Sequence, residues 1–156
     1  MLKKIAAIFA VLFAALSLTA CAPTASHNGV VIEDAWVRSS EYSDHTGGMT
    51  GIFGKFTNHS DKTVTIIGGE TDIAKMVQTH EVVNGMMQEK KGGIEIKPGE
   101  TVTLQPGGLH IMVMDIAKPI VAGDKIKFTF KFDGAESQTL TLTAKDSEGG
   151  DETYNK

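Results

Sequence analysis

Two histidines and two methionines are the residues of this sequence whose side chains are best suited to binding a metal ion. His80, Met87, His110 and Met112 offer imidazole nitrogen and thioether sulfur, a donor set that suits Cu(I) better than a hard cation. Calcium or magnesium would require clustered carboxylates and carbonyls, and blue-copper electron transfer would require a thiolate ligand. The residue types therefore predict a Cu(I)-binding site that does not work by electron transfer.

His110 and Met112 are two residues apart, which places both side chains on one face of a β-strand because successive side chains alternate. Ile111 between them would then pack against the opposite side. The preceding segment, residues 106–108, is Pro-Gly-Gly and would let the backbone bend into the site. We expect this pair to come from a strand next to the hairpin that carries the other donors.

Asn84-Gly85 is a strong signal for a tight hairpin turn. Across this turn His80 is expected to face a methionine, and the parity of the hairpin leaves both Met86 and Met87 open at this point. The site is expected at an exposed edge of the fold, where a partner's ligands could displace methionine one donor at a time.

Short runs rich in Val, Ile, Phe and Thr, separated by Gly, Pro, Asn and Asp, predict an all-β domain. In residues 125–132 apolar and polar side chains alternate, and residues 138–144 repeat the alternation after Asp133-Gly134, which predicts an antiparallel hairpin. Several short strands at this spacing favour an antiparallel β-sandwich with Greek-key connections. Further strands are predicted at residues 30–38, 51–58, 62–67 and 101–105.

The N-terminal residues 1–20 combine two lysines with a short apolar run, which is the pattern of a secretion signal. Leu18-Thr19-Ala20-Cys21 resembles the bacterial lipobox, in which the cysteine is lipidated and becomes the new N-terminus. Residues 21–29 would then be a flexible tether, residues 30–145 a single domain and residues 146–156 a disordered tail. Lipidation of Cys21 predicts an exported protein anchored to the extracytoplasmic face of a bacterial membrane.

The net charge of −4 and the isoelectric point of about 5.7 argue against nucleic-acid binding, which calls for basic clusters. The pattern suggests no pairing of nucleophile and base, so we expect the protein not to be an enzyme. The remaining notable side chains are expected to have structural roles, as a core anchor (Trp36), as packing residues (Met49, Met76) or as tether and loop residues (His27, His45, His59).

Several segments together resemble the PCuAC family of exported copper chaperones. They are His80-Glu81, a methionine seven positions on, Gly92 to Ile96, Pro106 to Met112, and Met114-Asp115. Residues 34–38, Asp-Ala-Trp-Val-Arg, are similar to the opening strand of that family, so the resemblance covers most of the chain from about Val30 to Ala144. It implies a cupredoxin-like β-sandwich.

The resemblance further implies that His80, Met87, His110 and Met112 bind Cu(I). Met87 keeps the family's spacing to the following Gly-Gly-Ile segment, but the gap after His80 is shorter than in the commonest family form, which keeps Met86 as an alternative ligand. The tail has neither methionines nor histidines, so a second copper site is not expected.

The role implied by the resemblance is delivery of copper by a monomeric chaperone to the CuA site of cytochrome c oxidase, directly or with a Sco-type partner. Two alternatives belong to other classes. One is a lipid-anchored β-sandwich that serves as an interaction or assembly module, with the metal-binding residues incidental. The other is a copper-dependent oxidoreductase, which would need an open coordination position and a substrate pocket.

Overall fold

The computed structural model describes residues 29–40 and 48–146. The signal peptide predicted at residues 1–20 lies outside them, as do Cys21, His27, His45, nearly all of the tether and all but the first residue of the tail. Those assignments remain predictions. Within the described ranges, no helix is long and apolar enough to cross a membrane.

The described residues form ten β-strands, as the all-β prediction requires. The first strand has the predicted bounds, whereas the second begins at Gly48 instead of Gly51 and the third extends to Glu70. The strands are β1 (Val30–Arg38), β2 (Gly48–Asn58), β3 (Val64–Glu70), β4 (Ala74–Val83), β5 (Met86–Glu89), β6 (Ile94–Ile96), β7 (Thr101–Leu104), β8 (His110–Ile116), β9 (Lys125–Asp133) and β10 (Gln138–Lys145).

The strands form one continuous ladder in the order β5-β4-β8-β2-β1-β10-β9-β3-β6, and β7 pairs with the second half of β2. All of these pairs are antiparallel except β1 with β10, which run parallel. Phe56 on β2 and Phe130 on β9 are three strand positions apart in the ladder, yet their ring centroids lie 5.3 Å apart. Because neighbouring strands are spaced by about 4.8 Å, the ladder must fold over on itself into a sandwich.

Alternate apolar residues fill the space between the two layers. In β9, Ile126, Phe128, Phe130 and Phe132 are buried while the intervening lysines and threonine are more exposed, as the sequence alternation predicted. Burying each large apolar side chain contributes about 1.5–3 kcal/mol relative to leaving it in water. The other buried members of this core cluster are Val30, Val37, Ile52, Phe56, Val64, Ile66, Ile94, Ile96, Leu104, Ile111, Val113, Ile116, Ile120, Leu142 and Ala144.

A β-bulge in β1 determines where the single tryptophan points. Glu33 pairs with Lys55 and Trp36 pairs with Phe53, so two residues of β1 stand opposite one residue of β2, and Asp34 adopts a φ of 54°. Trp36 therefore shares a sheet face with Phe53, and the two ring centroids lie 4.7 Å apart. Contrary to the prediction of a core anchor, Trp36 is half-buried on the outer face of the sheet.

Candidate metal centre

The four predicted donor residues lie on three neighbouring strands at one end of the ladder. His80 belongs to β4, Met87 to the edge strand β5, and His110 and Met112 to β8. His80 and His110 stand directly opposite each other in the β4–β8 register, and their ring centroids are 5.6 Å apart. Three separate segments of the chain thus bring two imidazoles and two thioethers to one place.

His110 is held in a defined orientation by the loop that precedes its strand. Its Nδ1 lies 2.9 Å from the backbone oxygen of Gly108, and because a carbonyl oxygen can only accept, Nδ1 donates a proton to it. In the neutral ring the lone pair is then on Nε2, which lies 3.2 Å from the Sδ atom of Met87. The ring is 1 % exposed, so this nitrogen is directed towards sulfur inside the protein and not towards bulk water.

His80 shows the complementary arrangement. Its Nε2 lies 3.1 Å from Oε1 of Gln78 and donates to it, which leaves the lone pair of the neutral ring on Nδ1. That Nδ1 atom is buried and has no hydrogen-bond partner within the described part of the chain. A buried polar atom without a partner costs free energy, which is typical of a site that binds something further.

Burial lowers the pKa of His80 below its usual 6.5, and the neighbouring charge of His110 lowers it further, while Glu89 raises it in part. The imidazole of His80 is consequently neutral at pH 7, which is the state in which it can bind a metal ion. Desolvation is the largest cause, because taking the ring out of water disfavours its charged form.

This shift predicts how the metal-free protein responds to acid. As the pH falls below 6.5, the unfolded chain takes up a proton at residue 80 before the folded chain does, so the free energy of unfolding should decrease. The decrease should end below the lower pKa of the folded state. Urea unfolding of the wild type and of His80→Gln at a series of pH values would measure it, and an identical pH dependence in both proteins would contradict the assignment.

Met112 lies between Gly51 on β2 and Gln78 on β4, and its side chain is 2 % exposed. It is on the same face of β8 as His110, as the two-residue spacing predicted, whereas Ile111 and Val113 pack into the core on the other face. The thioether of Met112 is therefore next to the histidine pair and shielded from solvent.

The hairpin places the two candidate methionines of β5 on opposite faces. Met87 pairs with Val82, which lies on the His80 face of β4, whereas Met86 pairs with Val83 and is 48 % exposed on the other face. His80 itself stands opposite Glu89, so His80 and Met87 lie diagonally on the same face. The prediction that His80 directly faces a methionine across the turn is therefore wrong. The geometry favours Met87 over Met86 as the donor.

The opposite face of the hairpin is held by charged and polar contacts. The Lys90 ammonium lies 2.8 Å from the Glu81 carboxylate, and the Gln88 amide donates to the same carboxylate at 3.2 Å. The hydrogen bond from Lys90, followed by that from Gln88, lowers the pKa of Glu81. Glu81 therefore holds the β4–β5 hairpin together and does not point towards the histidines.

An aromatic side chain that the sequence analysis did not assign to the site covers it. The Phe53 ring centroid lies 6.2 Å from that of His110, and the guanidinium carbon of Arg38 lies 5.2 Å from the Phe53 ring. Gly51 makes room for this ring, since a Cβ atom there would come within 2.6 Å of Phe53 Cζ. Phe53 is itself buried and forms the side of the site that faces β2.

The arrangement has the chemistry of a soft-cation site. The two imidazoles are each oriented by a hydrogen bond at one nitrogen, and such outer contacts normally fix the tautomer of metal-binding histidines. Two thioethers, Met87 and Met112, lie on the same face, and thioether and imidazole donors together suit Cu(I). The residues therefore fit the ion for which the sequence predicted them.

Solved structures with the same fold include copper-binding domains. The copper-bound PCuAC domain from PmoF2 matches with a TM-score of 0.63 and 24 % identity, covering 76 % of this chain and 93 % of that domain. The apo PCuAC domain from PmoF1 gives 0.62 and 16 %, with coverage of 76 % and 94 %. The solution structure of Cu(I)-DR1885 from Deinococcus radiodurans gives 0.54 and 20 %, with coverage of 80 % and 85 %. The protein thus has the cupredoxin-like β-sandwich fold of PCuAC domains, which confirms the predicted fold class.

The sequence itself places the chain in a narrower group. A profile of the family described as "Putative lipoprotein LpqE-like" matches residues 30–144. The protein described as "Putative lipoprotein Lxx21020", from Leifsonia xyli subsp. xyli (strain CTCB07), is 36 % identical over 152 residues, which cover 89 % of both chains. The chain belongs to the LpqE-like family.

Proposed function

We propose that this protein is an exported, lipid-anchored Cu(I) chaperone that binds its cargo through His80, Met87, His110 and Met112 and does not act as an enzyme. The observation that carries the proposal is the convergence of donor atoms. His110 Nε2 lies 3.2 Å from Met87 Sδ, beside the directly opposed His80, whose buried Nδ1 has no partner among the described residues.

Different comparisons support the two parts of the proposal, the copper cargo and the lipid anchor. Structures of the same fold are described as copper-bound or Cu(I)-bound domains, which supports copper as the cargo. The descriptions of the family and of the 36 % identical relative both contain the words "Putative lipoprotein", which supports the lipidation predicted at Cys21. The anchor would hold the domain at the extracytoplasmic face of the membrane, where the predicted tether, residues 21–29, leaves it free to meet partners.

Partial burial of the site suggests an order for ligand exchange. His110 and Met112 are buried, whereas His80 and Met87 are half-buried, so the site is less open than the sequence analysis had expected. Met87 is on β5, which is the edge strand among the described strands and pairs there with β4 alone. A partner's donor would therefore replace Met87 first, while the buried pair on β8 retains the ion until a second donor arrives.

The recipient that this chemistry suits is another extracytoplasmic copper site. We propose transfer by the monomeric chaperone to the CuA site of cytochrome c oxidase, directly or through a Sco-type chaperone. Thiolate, thioether and imidazole ligands all suit copper, so the ion can pass by ligand exchange from a methionine-histidine site to a recipient that offers such donors.

The test is to load the full-length protein with one equivalent of Cu(I). X-ray absorption should show both nitrogen and sulfur scatterers around the ion, and competition with a Cu(I) chelator should give the affinity. Mixing the loaded protein with a copper-free CuA domain should then move the metal to that domain.

Two results would count against the proposal. A well-folded protein that takes up no Cu(I) would favour the alternative of an interaction or assembly module. A loaded protein with nitrogen and oxygen scatterers only would exclude the methionines from the ligand set.

A further inference from the structure

Three methionines outside the proposed site form a row across three adjacent strands. Met114 on β8 pairs directly with Met76 on β4 on one side and with Met49 on β2 on the other. Directly paired residues project from the same face of a sheet, with Cβ atoms about 4.5–5.5 Å apart. The three side chains therefore stand next to one another on one face.

Packing does not explain this row. Contrary to the prediction that they are packing residues, Met49 and Met76 are 36 % and 49 % exposed, and Met114 is half-buried. The core cluster lies on the other face of β8, with Ile111 and Val113. Three neighbouring thioethers thus meet solvent where shorter or polar side chains would cost the fold little.

The chemistry of the row is that of a soft-metal site. Thioether sulfur is a soft ligand and suits a soft ion such as Cu(I). Methionine has three rotatable side-chain bonds and adapts to irregular geometry, so three adjacent side chains can turn their sulfurs towards one ion. Because the middle residue is paired on both sides, all three sulfurs are within reach of a point above Met114.

The row continues into the site described above. Met112 is two residues before Met114 on the same face of β8, a separation of about 7 Å along the strand. Soft donors therefore follow one face from the solvent-exposed row to the buried histidine pair.

We propose that Met49, Met76 and Met114 form a second, all-thioether site for a soft monovalent cation, at which Cu(I) is held before it moves to the histidine-methionine site. The choice of Cu(I) as the natural ion rests on the proposed function, whereas the thioether site itself does not. A second copper site is not expected from the sequence, because the tail has neither methionines nor histidines. The register of β2, β4 and β8 supplies one in the sheet.

The experiment uses full-length protein with ¹³C-labelled methionine methyl groups. One sample is titrated with Ag(I), a redox-inert soft cation, and another with Cu(I) under anaerobic conditions. Each titration should saturate at two equivalents. The methyl resonances of Met49, Met76 and Met114 should shift together, in a step separate from those of Met87 and Met112.

The variant Met49→Leu/Met76→Leu/Met114→Leu keeps the side-chain volume and removes the sulfurs, and it should bind one equivalent. The matched control is Met86→Leu, an exposed methionine on the other face of the sheet, which should still bind two. If the triple variant does not fold, the single variants Met49→Leu and Met76→Leu replace it. Each should lower the affinity of the binding step seen at the row's methyl groups at least tenfold.

The outcomes separate this inference from the proposed function. Saturation at one equivalent with no shift of the row's methyl groups would overturn the inference and leave the histidine-methionine site standing. A variant carrying His80→Ala and His110→Ala should still bind one equivalent through the row. Shifts of the row alone in the wild type would support the row and overturn the proposed ligand set.

Discussion

Replacing His110 with alanine is expected to lower the affinity for Cu(I) by about 100-fold or more. Residues that only orient a metal ligand typically contribute 10–100-fold to affinity, so removal of the ligand itself should cost at least as much. Among the proposed donors, His110 contacts three other side chains of the site: its Nε2 lies next to Met87 Sδ, its ring stands opposite His80, and the Phe53 ring lies beside it. Competition with a Cu(I) chelator measures the loss.

The control for this variant is His59→Ala. His59 is an exposed histidine between β2 and β3, so its removal should leave the affinity unchanged. Because His110 is buried, circular dichroism must show that the alanine variant is folded before its affinity is interpreted. A folded His110→Ala protein with wild-type affinity would remove His110 from the ligand set.

Part of the fold could be predicted because some strands, such as β9, alternate between buried and more exposed residues. In β9 every second residue is buried, and β10 follows it after a short turn, so both the strands and their antiparallel pairing are local properties of the sequence. The parallel pairing of β1 with β10 could not be predicted in this way. It joins residues more than a hundred positions apart, and only burial of the complete core selects it over other edge pairings.

The face on which a residue of the site lies could be predicted where it depends only on the alternation of side chains along one strand. The shared face of His110 and Met112 follows from a spacing of two, and this is what the structure shows. The choice between Met86 and Met87 depends on which residues pair after Asn84-Gly85, where both turn residues have positive φ. A spacing cannot reveal that register, since a shift by one residue would exchange the two faces.

Gln78 and Phe53 could not be found from the sequence because neither has the chemistry of a ligand. Gln78 acts by orienting His80, and Phe53 by covering His110, so both roles exist only once separate strands are paired. The methionine row is a similar case. Met49, Met76 and Met114 are far apart in the chain, and the β2–β8–β4 register alone makes them neighbours.

Replacing Phe130 with alanine is expected to lower the free energy of unfolding by about 4 kcal/mol, within the 3–5 kcal/mol typical of such truncations. The ring is fully buried, and its centroid lies 4.8 Å from that of Phe128 and 5.3 Å from that of Phe56. The neighbouring strand β3 cannot easily fill the cavity, because Gly69, the residue paired with Phe130, has no side chain. Chemical denaturation of the metal-free protein measures the loss, and Phe130→Leu, which leaves a smaller cavity, should lose less.

Cu(I) should restore much of the free energy of unfolding that Phe130→Ala loses, because a ligand that binds only the folded state stabilises that state. At a free Cu(I) concentration 1,000 times the dissociation constant, the gain is about 4.1 kcal/mol, close to the expected loss. Phe130 belongs to the core, whereas the proposed donors on β4, β5 and β8 lie on the other face of the sheet from Ile111 and Val113. The folded variant should therefore bind Cu(I) with wild-type affinity. Denaturation with and without chelator-buffered Cu(I) tests this, and His110→Ala, which lacks one proposed ligand but keeps the methionine row, should gain less. Equal stabilisation of both variants by copper would mean that the stabilising ion is held outside the histidine-methionine site.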